Sequence, residues 1–388
     1  MNNQLSSDPV AQLRSARSSI KWTRYPADVL PLFVAEMDYP VAAPITAELI
    51  ARVGASDLGY VDGPGPLTAA FSRFSTERWG WTPDPERVRI ATDVSVGIVE
   101  TLRYGLRAEA NVVITPPVYP PFYELVEEAG HRRVEVPLIE TDGTWTLDLA
   151  GLETAFAAGA DAFLLCNPHN PIGIVHTRDE LSAIAALAAR YGVLVISDEV
   201  HGPLAHPGHP FTPFLAVAGE HGASAVTVTS GSKGWNLAGA KCALVIAGDA
   251  ITTEVVDRFP EEVACRASIL GVHANTVAFS CTDWLDDTVT KIVENDRLLA
   301  SLFAEHLPAA TYVRPQSSYL DWLDLRPLGL GDDPAAFLIT HARVALNAGH
   351  TYGDSGRGFA RINLACDPDV LRAAVERIAA ATALVVAA

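Results

Sequence analysis

The chain has 388 residues, of which 49% are hydrophobic, and its formal net charge is −18 at neutral pH. This length predicts two lobes, or one large lobe with an elaboration, and the hydrophobic content excludes a disordered protein. The negative charge disfavours partners that attract basic surfaces, so neither a nucleic acid nor an anionic membrane is expected.

The cysteines and the N-terminal residues indicate in which cellular compartment the protein is expected. The cysteines are odd in number and form no C-x-x-C pair, which is typical of reduced thiols in a cytoplasmic protein. They are Cys166, Cys242, Cys265, Cys281 and Cys366. The first eight residues are polar, and no run of 18 apolar residues occurs, so we expect neither a signal peptide nor a membrane span.

The first third of the chain changes from polar to patterned sequence. We expect irregular structure over residues 1–30, and the short stretch 32–40 is apolar and ends in acidic and aromatic residues. Hydrophobic spacing predicts helices over 43–53 and 67–79. Between them, the glycines and prolines of residues 59–66 predict a loop.

Strands and helices then alternate up to about residue 282. The strand segments are short, apolar and without polar alternation, which predicts strands buried on both faces of a mostly parallel α/β sheet. We predict these strands at 88–92, 111–115, 133–136, 162–166, 193–197, 225–229 and 242–247. We predict the intervening helices at 96–106, 119–129, 149–158 and 178–190.

From residue 283 the pattern indicates a smaller α+β lobe. Its predicted helices span 283–306, 334–342 and 368–386. Its predicted strands span 319–325, which alternates like a half-buried strand, and 359–364. The fold class predicted from the sequence is therefore α/β, with a large sheet domain and a smaller second domain.

Lysine is rare in this chain and unevenly placed. Against 24 arginines there are only four lysines, and two of them, Lys233 and Lys241, lie in one Gly/Ser-rich turn region after the strand at 225–229. A lysine can become a neutral nucleophile, whereas an arginine stays charged. A catalytic lysine and an incidental surface lysine both remain open on this stretch alone.

Polar groups follow successive predicted strands, where an open α/β sheet binds its ligands. They are Asp93, Val94 and Ser95 at a helix start, Tyr119, Asn170, Asp198, His201, Ser230, Ser232 and Lys233. Together these groups fit pyridoxal phosphate: a Schiff-base lysine, a carboxylate for the pyridine nitrogen, an aromatic ring to stack, and donors for the phosphate.

Each of these residues also has a simpler explanation. Asp198 could be a helix N-cap, the turn after Asn170 could be only a turn, and Tyr119 could belong to the core. His201, His206 and His209 could suggest a metal, but Pro207 and Gly208 break helical spacing, so no metal site is expected. The joint placement at strand ends favours the cofactor.

Three stretches carry a resemblance to a known family: residues 21–40, beginning Lys-Trp-Thr-Arg-Tyr-Pro; residues 197–201, Ser-Asp-Glu-Val-His; and residues 232–239, Ser-Lys-Gly-Trp-Asn-Leu-Ala-Gly. The chain resembles the fold-type I pyridoxal-phosphate enzymes of the aspartate aminotransferase superfamily. It looks most like their branch of cystathionine β-lyases and C–S lyases. The resemblance implies a seven-stranded sheet in a large domain over 45–282, a small domain over 283–388 joined by segment 1–44, and a homodimer with shared active sites.

The resemblance also implies roles for individual residues. Lys233 would carry the cofactor and shuttle the proton, Asp198 would pair with the pyridine nitrogen, and Tyr119 would stack on the ring. The remaining implied contacts are Asn170 and His201 to the ring 3-oxygen; Ser230, Ser232, Lys241 and the amides of Val94 and Ser95 to the phosphate; Tyr60 to the neighbouring subunit's phosphate; and Arg361, Ala35, Tyr60 and Asn170 to the amino-acid substrate.

Some positions depart from the family pattern. Ile172 replaces a threonine, Gly231 a proline or alanine, and Glu36 an aspartate. Lys241 stands where an arginine often binds the phosphate, which exchanges a planar fork for a point charge.

The implied activity is α,β-elimination of cystathionine or a related cysteine S-conjugate to a thiol, pyruvate and ammonia. The same residues would serve an aminotransferase, which stays the alternative.

Residues 230–233 also match the S-x-x-K pattern of acyl-serine hydrolases, but the required S-D-N and K-T-G elements are missing. A ligand-sensing regulator would need a DNA-binding module, for which the short polar N-terminus leaves no room.

Overall fold

The computed structural model describes residues 9–386. The helices are α1 Pro9–Ala16, α2 Ile20–Thr23, α3 Ala43–Gly54, α4 Pro66–Trp79, α5 Val94–Gly105, α6 Pro121–Glu128, α7 Leu149–Ala157, α8 Arg178–Tyr191, α9 Leu215–His221, α10 Gly231–Gly234, α11 Ala250–Val256, α12 Glu261–Cys265, α13 Ile269–Ala278, α14 Thr282–His306, α15 Pro334–His341 and α16 Pro368–Val386. The strands are β1 Leu30–Pro31, β2 Val88–Ala91, β3 Asn111–Ile114, β4 Arg132–Glu135, β5 Ile139–Thr141, β6 Thr144–Thr146, β7 Ala162–Cys166, β8 Leu194–Asp198, β9 Ala225–Thr229, β10 Ala243–Ala247, β11 Thr311–Tyr312, β12 Leu320–Asp324, β13 Val344–Ala345, β14 Asn347–Ala348 and β15 Phe359–Asn363.

The main sheet has seven strands in the order β2-β10-β9-β8-β7-β3-β4. Only β10 runs antiparallel to its neighbours β2 and β9, and every other pair is parallel. The mostly parallel seven-stranded sheet expected from the sequence is therefore confirmed. Because β10 is reversed, its start lies at the same edge as the ends of the other strands.

Both faces of this sheet are buried, which explains the unbroken apolar strands. Every residue of β7, β9 and β10 is buried. Helices α5 and α6 cover one face, and α7 and α8 cover the other. Close approach of α5 needs Gly97, since a Cβ there would lie 2.8 Å from Val228 Cγ1 and 2.9 Å from Val245 Cγ2.

The second lobe is built on an antiparallel sheet in the order β11-β12-β15-β14, packed against α14 and α16. Its core also takes in Trp22 and Leu32 from the N-terminal segment, and β1 pairs in parallel with β13. These contacts support the predicted division into segment 1–44, domain 45–282 and domain 283–388, whose boundaries stay a prediction.

Two expectations about local structure are wrong. Within the stretch expected to be irregular, residues 9–30, two helices form, α1 and α2; residues 1–8 lie outside the described part. Long-range contacts stabilise α1, because the Arg14 guanidinium donates to the carbonyls of Trp22, Tyr25 and Val29 at 2.8, 3.1 and 2.8 Å. Strand β12 is not half-buried, since residues 320–323 are all buried between neighbouring strands and helix α14.

Several elements were not predicted from the sequence. They are the hairpin β5–β6, the helices α9, α11, α12 and α13, and the short strands β1, β11, β13 and β14. Most are short or weakly amphipathic, so hydrophobic spacing gives little signal. No helix within residues 9–386 combines the length and apolar character needed to cross a membrane.

Candidate active site

A cleft of about 740 Å³ opens at the edge of the main sheet where the strand ends meet. Its walls come from both lobes and from the N-terminal segment. Among its lining residues are twelve that the sequence singled out: Ala35, Val94, Ser95, Tyr119, Asn170, Asp198, His201, Ser230, Ser232, Lys233, Lys241 and Arg361.

Lys233 lies at the base of this cleft on the short helix α10. Its Nζ donates to the carbonyl of Ala35 at 3.2 Å. Burial and, to a smaller extent, the positive charge of Arg361 lower the pKa of Lys233 to about 8, against the opposing effects of Asp198 and Glu36. A larger fraction of the amine is therefore neutral at physiological pH than for an exposed lysine.

Asp198 ends strand β8 and is buried beside Lys233. Its Oδ1 accepts from the amide of Val200 at 3.1 Å. Burial raises the pKa of Asp198 to about 6, while the Val200 amide and Lys233 oppose the rise. The carboxylate consequently stays mostly ionised near pH 7, as a partner for a protonated pyridine nitrogen must.

His201 follows on the same loop and is held neutral. Burial lowers its pKa well below the usual range, and the charges of Lys233 and Arg361 act in the same direction. Its Nδ1 lies 3.0 Å from the hydroxyl of Ser318. A neutral imidazole leaves one nitrogen able to donate and the other to accept.

Arg361 on β15 faces the large domain across the cleft. Its Nη1 donates to Oδ1 of Asn170 at 3.0 Å, and its Nη2 donates to the carbonyl of Phe33 at 3.1 Å. Its Nε is buried and has no hydrogen-bond partner within the described residues. A buried guanidinium with an unmet donor is suited to bind a carboxylate.

The segment 33–38 joins the two lobes at the cleft, a role that the sequence did not predict. Asn363 Nδ2 donates to the carbonyls of Val34 and Glu36, both at 2.7 Å. The side-chain amide of Asn236 pairs with the backbone of Met37 in both directions, at 2.9 and 3.0 Å. Side chains thus fix an irregular backbone directly above Lys233.

Tyr319 is a buried residue that contacts segment 33–38 behind the cleft wall, and sequence reasoning missed it. Its hydroxyl donates to the Ala35 carbonyl at 3.0 Å, so Tyr319 and Lys233 share one acceptor. Its position after an irregular loop gives no motif that could have identified it.

The predicted phosphate end of the cleft lies at the start of α5. Asp93 caps this helix by accepting from the amide of Val96 at 3.0 Å, and the first-turn amides of Val94 and Ser95 have no acceptor within the helix. Lys241 pairs with Asp93 at 2.8 Å on the exposed rim. The hydroxyl of Ser230 already donates to the carbonyl of Cys242 at 2.6 Å.

The glycine at position 231 has a structural reason. Its amide donates to Oδ1 of Asn275 at 2.7 Å, and a Cβ on Gly231 would lie 2.7 Å from that same oxygen. A proline, which the family pattern would place here, has no N–H to donate to Asn275. An alanine would bring its Cβ too close to the Asn275 oxygen. Ile172, the other departure in a turn, is buried in the core.

Tyr60 is the one predicted site residue that a single chain does not bring to the cleft. Its side chain is 93% exposed and lies on the loop between α3 and α4.

No group of three or more His, Cys, Asp or Glu side chains in residues 9–386 is placed to hold a metal. His206 is buried, and its two ring nitrogens lie 3.0 and 2.7 Å from the carbonyls of Pro315 and Ser318.

These groups fit pyridoxal phosphate. Lys233 offers a partly neutral amine, Asp198 a buried carboxylate, and Tyr119 an aromatic ring at the same cleft. The free first-turn amides of α5 supply an anion site. The cleft volume of about 740 Å³ lies within the range of about 300–1,000 Å³ that is usual for sites that bind small molecules.

Comparisons with known proteins agree with this assignment. The family model described as "Aminotransferase class I and II" matches residues 60–378. The chain is 42% identical to a "Putative cystathionine beta-lyase" of Mycobacterium leprae, over 96% of this chain and 98% of that relative. It is 32% identical to the cystathionine beta-lyase of Corynebacterium glutamicum, over 94% and 96% of the two chains.

A solved structure shares the whole architecture. It is described as a "putative plp-dependent beta-cystathionase" from Corynebacterium diphtheriae, with a TM-score of 0.90 and 33% identity, and the match covers 96% of this chain and 98% of that one. The strand order, the lysine cleft and these full-length similarities agree. The chain therefore belongs to the class I and II aminotransferase family of pyridoxal-phosphate enzymes.

Proposed function

We propose that this protein is a pyridoxal-phosphate-dependent carbon–sulfur β-lyase that cleaves cystathionine or a related cysteine S-conjugate. The observation that carries the proposal is full-length similarity, at 32–42% identity, to relatives named cystathionine beta-lyase. The cleft that brings Lys233, Asp198 and Arg361 together supplies the chemistry such an enzyme needs.

Arg361 binds the α-carboxylate of the substrate. Its contacts to Asn170 and Phe33 hold the guanidinium in one orientation, so two donors can face a carboxylate without further ordering. This contact places the Cα–H bond of the substrate next to Lys233.

Lys233 removes the Cα proton. The bound cofactor supplies an electron sink that accepts the electron pair left at Cα. Asp198 keeps a proton on the pyridine nitrogen, because a carboxylate with a pKa of about 6 is ionised at neutral pH. The neutral fraction of Lys233 follows from its pKa of about 8.

The carbon–sulfur bond then breaks at Cβ. The electron pair freed at Cα forms the Cα–Cβ double bond, while the sulfur leaves with the bonding pair of the Cβ–S bond and gains a proton as a thiol. Water replaces the amino group of the remaining three-carbon fragment, which gives pyruvate and ammonia. Elimination followed by hydrolysis balances without an added oxidant or reductant.

An aminotransferase is the second candidate, because the matching family model is that of class I and II aminotransferases. In that reaction Lys233 would deliver the proton taken from Cα to the cofactor, and no bond at Cβ would break. The same three side chains serve both reactions, so the fate of the substrate distinguishes them.

The assembly proposed with this function is a homodimer. Ile50 and Val53 on α3 and Leu58 after it precede Tyr60 in the chain and are exposed, with 68%, 53% and 57% of their surfaces accessible. Such a cluster of apolar side chains indicates a contact surface. The exposed Tyr60 would then contact the phosphate in the cleft of the second copy, as the family resemblance implies.

The test uses the purified enzyme loaded with cofactor. With cystathionine alone, a lyase releases thiol, pyruvate and ammonia over many turnovers, whereas conversion that stops after one turnover until a keto acid is added indicates an aminotransferase. Lys233→Ala should also remove the yellow absorption of the lysine-bound cofactor. A wild-type protein that stays colourless with added pyridoxal phosphate contradicts the proposal.

A further inference from the structure

The cations of the N-terminal segment differ in what they contact. Arg14 donates to three backbone carbonyls, and Arg17 donates to those of Met37, Asp38 and Tyr39. Lys21 is fully buried and contacts the Glu36 carbonyl and the Asp38 carboxylate. Each of these charges is used to hold the fold.

Arg24, the next cation along, is different. It is exposed, it lines the same cleft as Lys233, and it makes no ion pair with any residue in the described part of the chain. Its guanidinium lies 5.4 Å from the centre of the Phe33 ring. The carbonyl of that same Phe33 accepts from Arg361, so Phe33 contacts both arginines.

One acidic side chain, that of Glu124 on α6, is likewise exposed at the cleft and without an ion pair in the described part of the chain. The other charged groups of the cleft are already used: Asp93 and Lys241 pair with each other, and Asp198, Lys233 and Arg361 serve the proposed chemistry. Arg24 and Glu124 therefore remain as one free charge of each sign.

The direction of the substrate connects them with the reaction. When the α-carboxylate lies on Arg361 and Cα lies at Lys233, the sulfur substituent has to occupy the remaining space of the cleft, whose lining includes Arg24 and Glu124. A substituent that ends in an amino-acid group carries a carboxylate and an ammonium. Its carboxylate matches a guanidinium and its ammonium matches a carboxylate.

We propose that Arg24 and Glu124 form a binding site for the distal amino-acid group of a thioether substrate, with Arg24 on the distal carboxylate and Glu124 on the distal ammonium. This inference rests on the proposed lyase function and defines its substrate class. The preferred leaving group is a thiol that carries its own carboxylate and ammonium, in contrast to a simple alkanethiol.

The test compares four thioethers that differ only at the distal end. S-ethyl-L-cysteine has no distal charge, S-(2-carboxyethyl)-L-cysteine has a carboxylate, S-(2-aminoethyl)-L-cysteine has an ammonium, and L-cystathionine has both. Arg24→Gln should lower kcat/KM about 2- to 5-fold for the two substrates with a distal carboxylate, as expected for an exposed charge, and leave the other two nearly unchanged. Glu124→Gln should do the same for the two with a distal ammonium.

Two controls separate this site from a general charge effect. Arg190→Gln removes an equal charge from α8, where Arg190 pairs with Glu153 on the surface, and should affect all four substrates equally. Arg24→Lys should recover part of the loss, since it keeps the charge. Equal losses for all four substrates in Arg24→Gln would overturn the proposal.

Binding measured without turnover distinguishes failure of this proposal from failure of the lyase function. In a Lys233→Ala background, calorimetric titration should show weaker binding of L-cystathionine, and unchanged binding of S-ethyl-L-cysteine, when Arg24→Gln is added. If wild-type enzyme cleaves none of the four thioethers but this selective loss remains, the lyase function fails and the distal site stands. If the loss is absent, the distal site fails.

Discussion

The inner wall of the cleft, formed by Lys233, Asp198, Asn170 and Arg361, differs from its mouth, formed by Arg24, Glu124 and Lys241. The inner groups stand on or directly after strands and are shielded from water, so their charges act on each other strongly. The mouth groups are exposed, where water and salt weaken every charge. Chemistry therefore belongs to the inner wall, whereas the mouth groups serve binding: Lys241 for the phosphate, and Arg24 and Glu124 for the leaving group.

The largest effect is expected at Asp198. Asp198→Asn cannot hold a proton on the pyridine nitrogen, so kcat should fall by about 10²–10⁴-fold. The matched control is Glu199→Gln. Glu199 is also buried, and burial raises its pKa to about 8, but its carboxyl group accepts from Ser197 and the Phe214 amide and does not line the cleft. Turnover measured at saturating substrate should be nearly unchanged in Glu199→Gln, and an equal loss in both variants would contradict the assignment.

Arg361→Gln tests whether the inner charges are coupled. Losing the carboxylate contact should lower kcat/KM on the order of 10²-fold. The same change removes the positive charge that lowers the pKa of Lys233, so that pKa should rise from about 8. The rate at which cofactor-free enzyme takes up pyridoxal phosphate depends on the neutral amine, and its midpoint should move to higher pH. A midpoint that stays fixed would show that burial alone sets the Lys233 pKa.

Asp321 tests whether burial by itself makes a functional group. Its carboxylate is fully buried in the small lobe, and neither oxygen has a hydrogen-bond partner within residues 9–386. Burial raises its pKa well above the usual range, and the nearby Asp296 adds to this. The folded protein thus binds this proton more tightly than the unfolded chain, so stability is lost as pH rises above the unfolded pKa.

Asp321→Asn should accordingly stabilise the protein at neutral pH by about 1–3 kcal/mol, without changing kcat. The gain should disappear in acid, below the unfolded pKa near 3.8. Asp324 on the same strand is the control, because it pairs with Arg326 at 2.7 Å and its replacement by asparagine should not stabilise. Urea unfolding at several pH values measures both, and a gain that is independent of pH would exclude this explanation.

The strand pattern of the sequence was sufficient for three of the four inner-wall residues, whereas Arg361 was identified only through the family resemblance. Strands buried on both faces leave an unbroken apolar pattern, and the polar residues that follow each strand must meet at one sheet edge. Asn170, Asp198 and Lys233 could therefore be placed together without coordinates. The reversed direction of β10 was not readable, yet it is what brings Lys241 to that edge.

The contacts of segment 33–38 could not be predicted. Asn236 and Asn363 hold its backbone from positions about 200 and 330 residues away, and no local pattern encodes such pairing. The same reason explains α1, whose helix is stabilised by Arg14 reaching three distant carbonyls. Tyr319 was missed because a lone tyrosine after a loop has many ordinary explanations.

Lys241 should show the smallest effect. It pairs with Asp93 on the exposed rim, and an exposed ion pair contributes only about 0.2–1 kcal/mol. Lys241→Ala should therefore weaken pyridoxal phosphate binding by no more than about 5-fold at low ionic strength, and by less at about 1 M salt, where the Debye length is about 3 Å. Lys241→Arg keeps the charge and should bind as the wild type does. Spectroscopic titration of cofactor-free enzyme measures all three proteins. A loss that approaches that of Asp198→Asn and resists salt would mean that Lys241 acts as a member of the inner wall, and the division between buried chemistry and exposed binding groups would have to be redrawn around the phosphate.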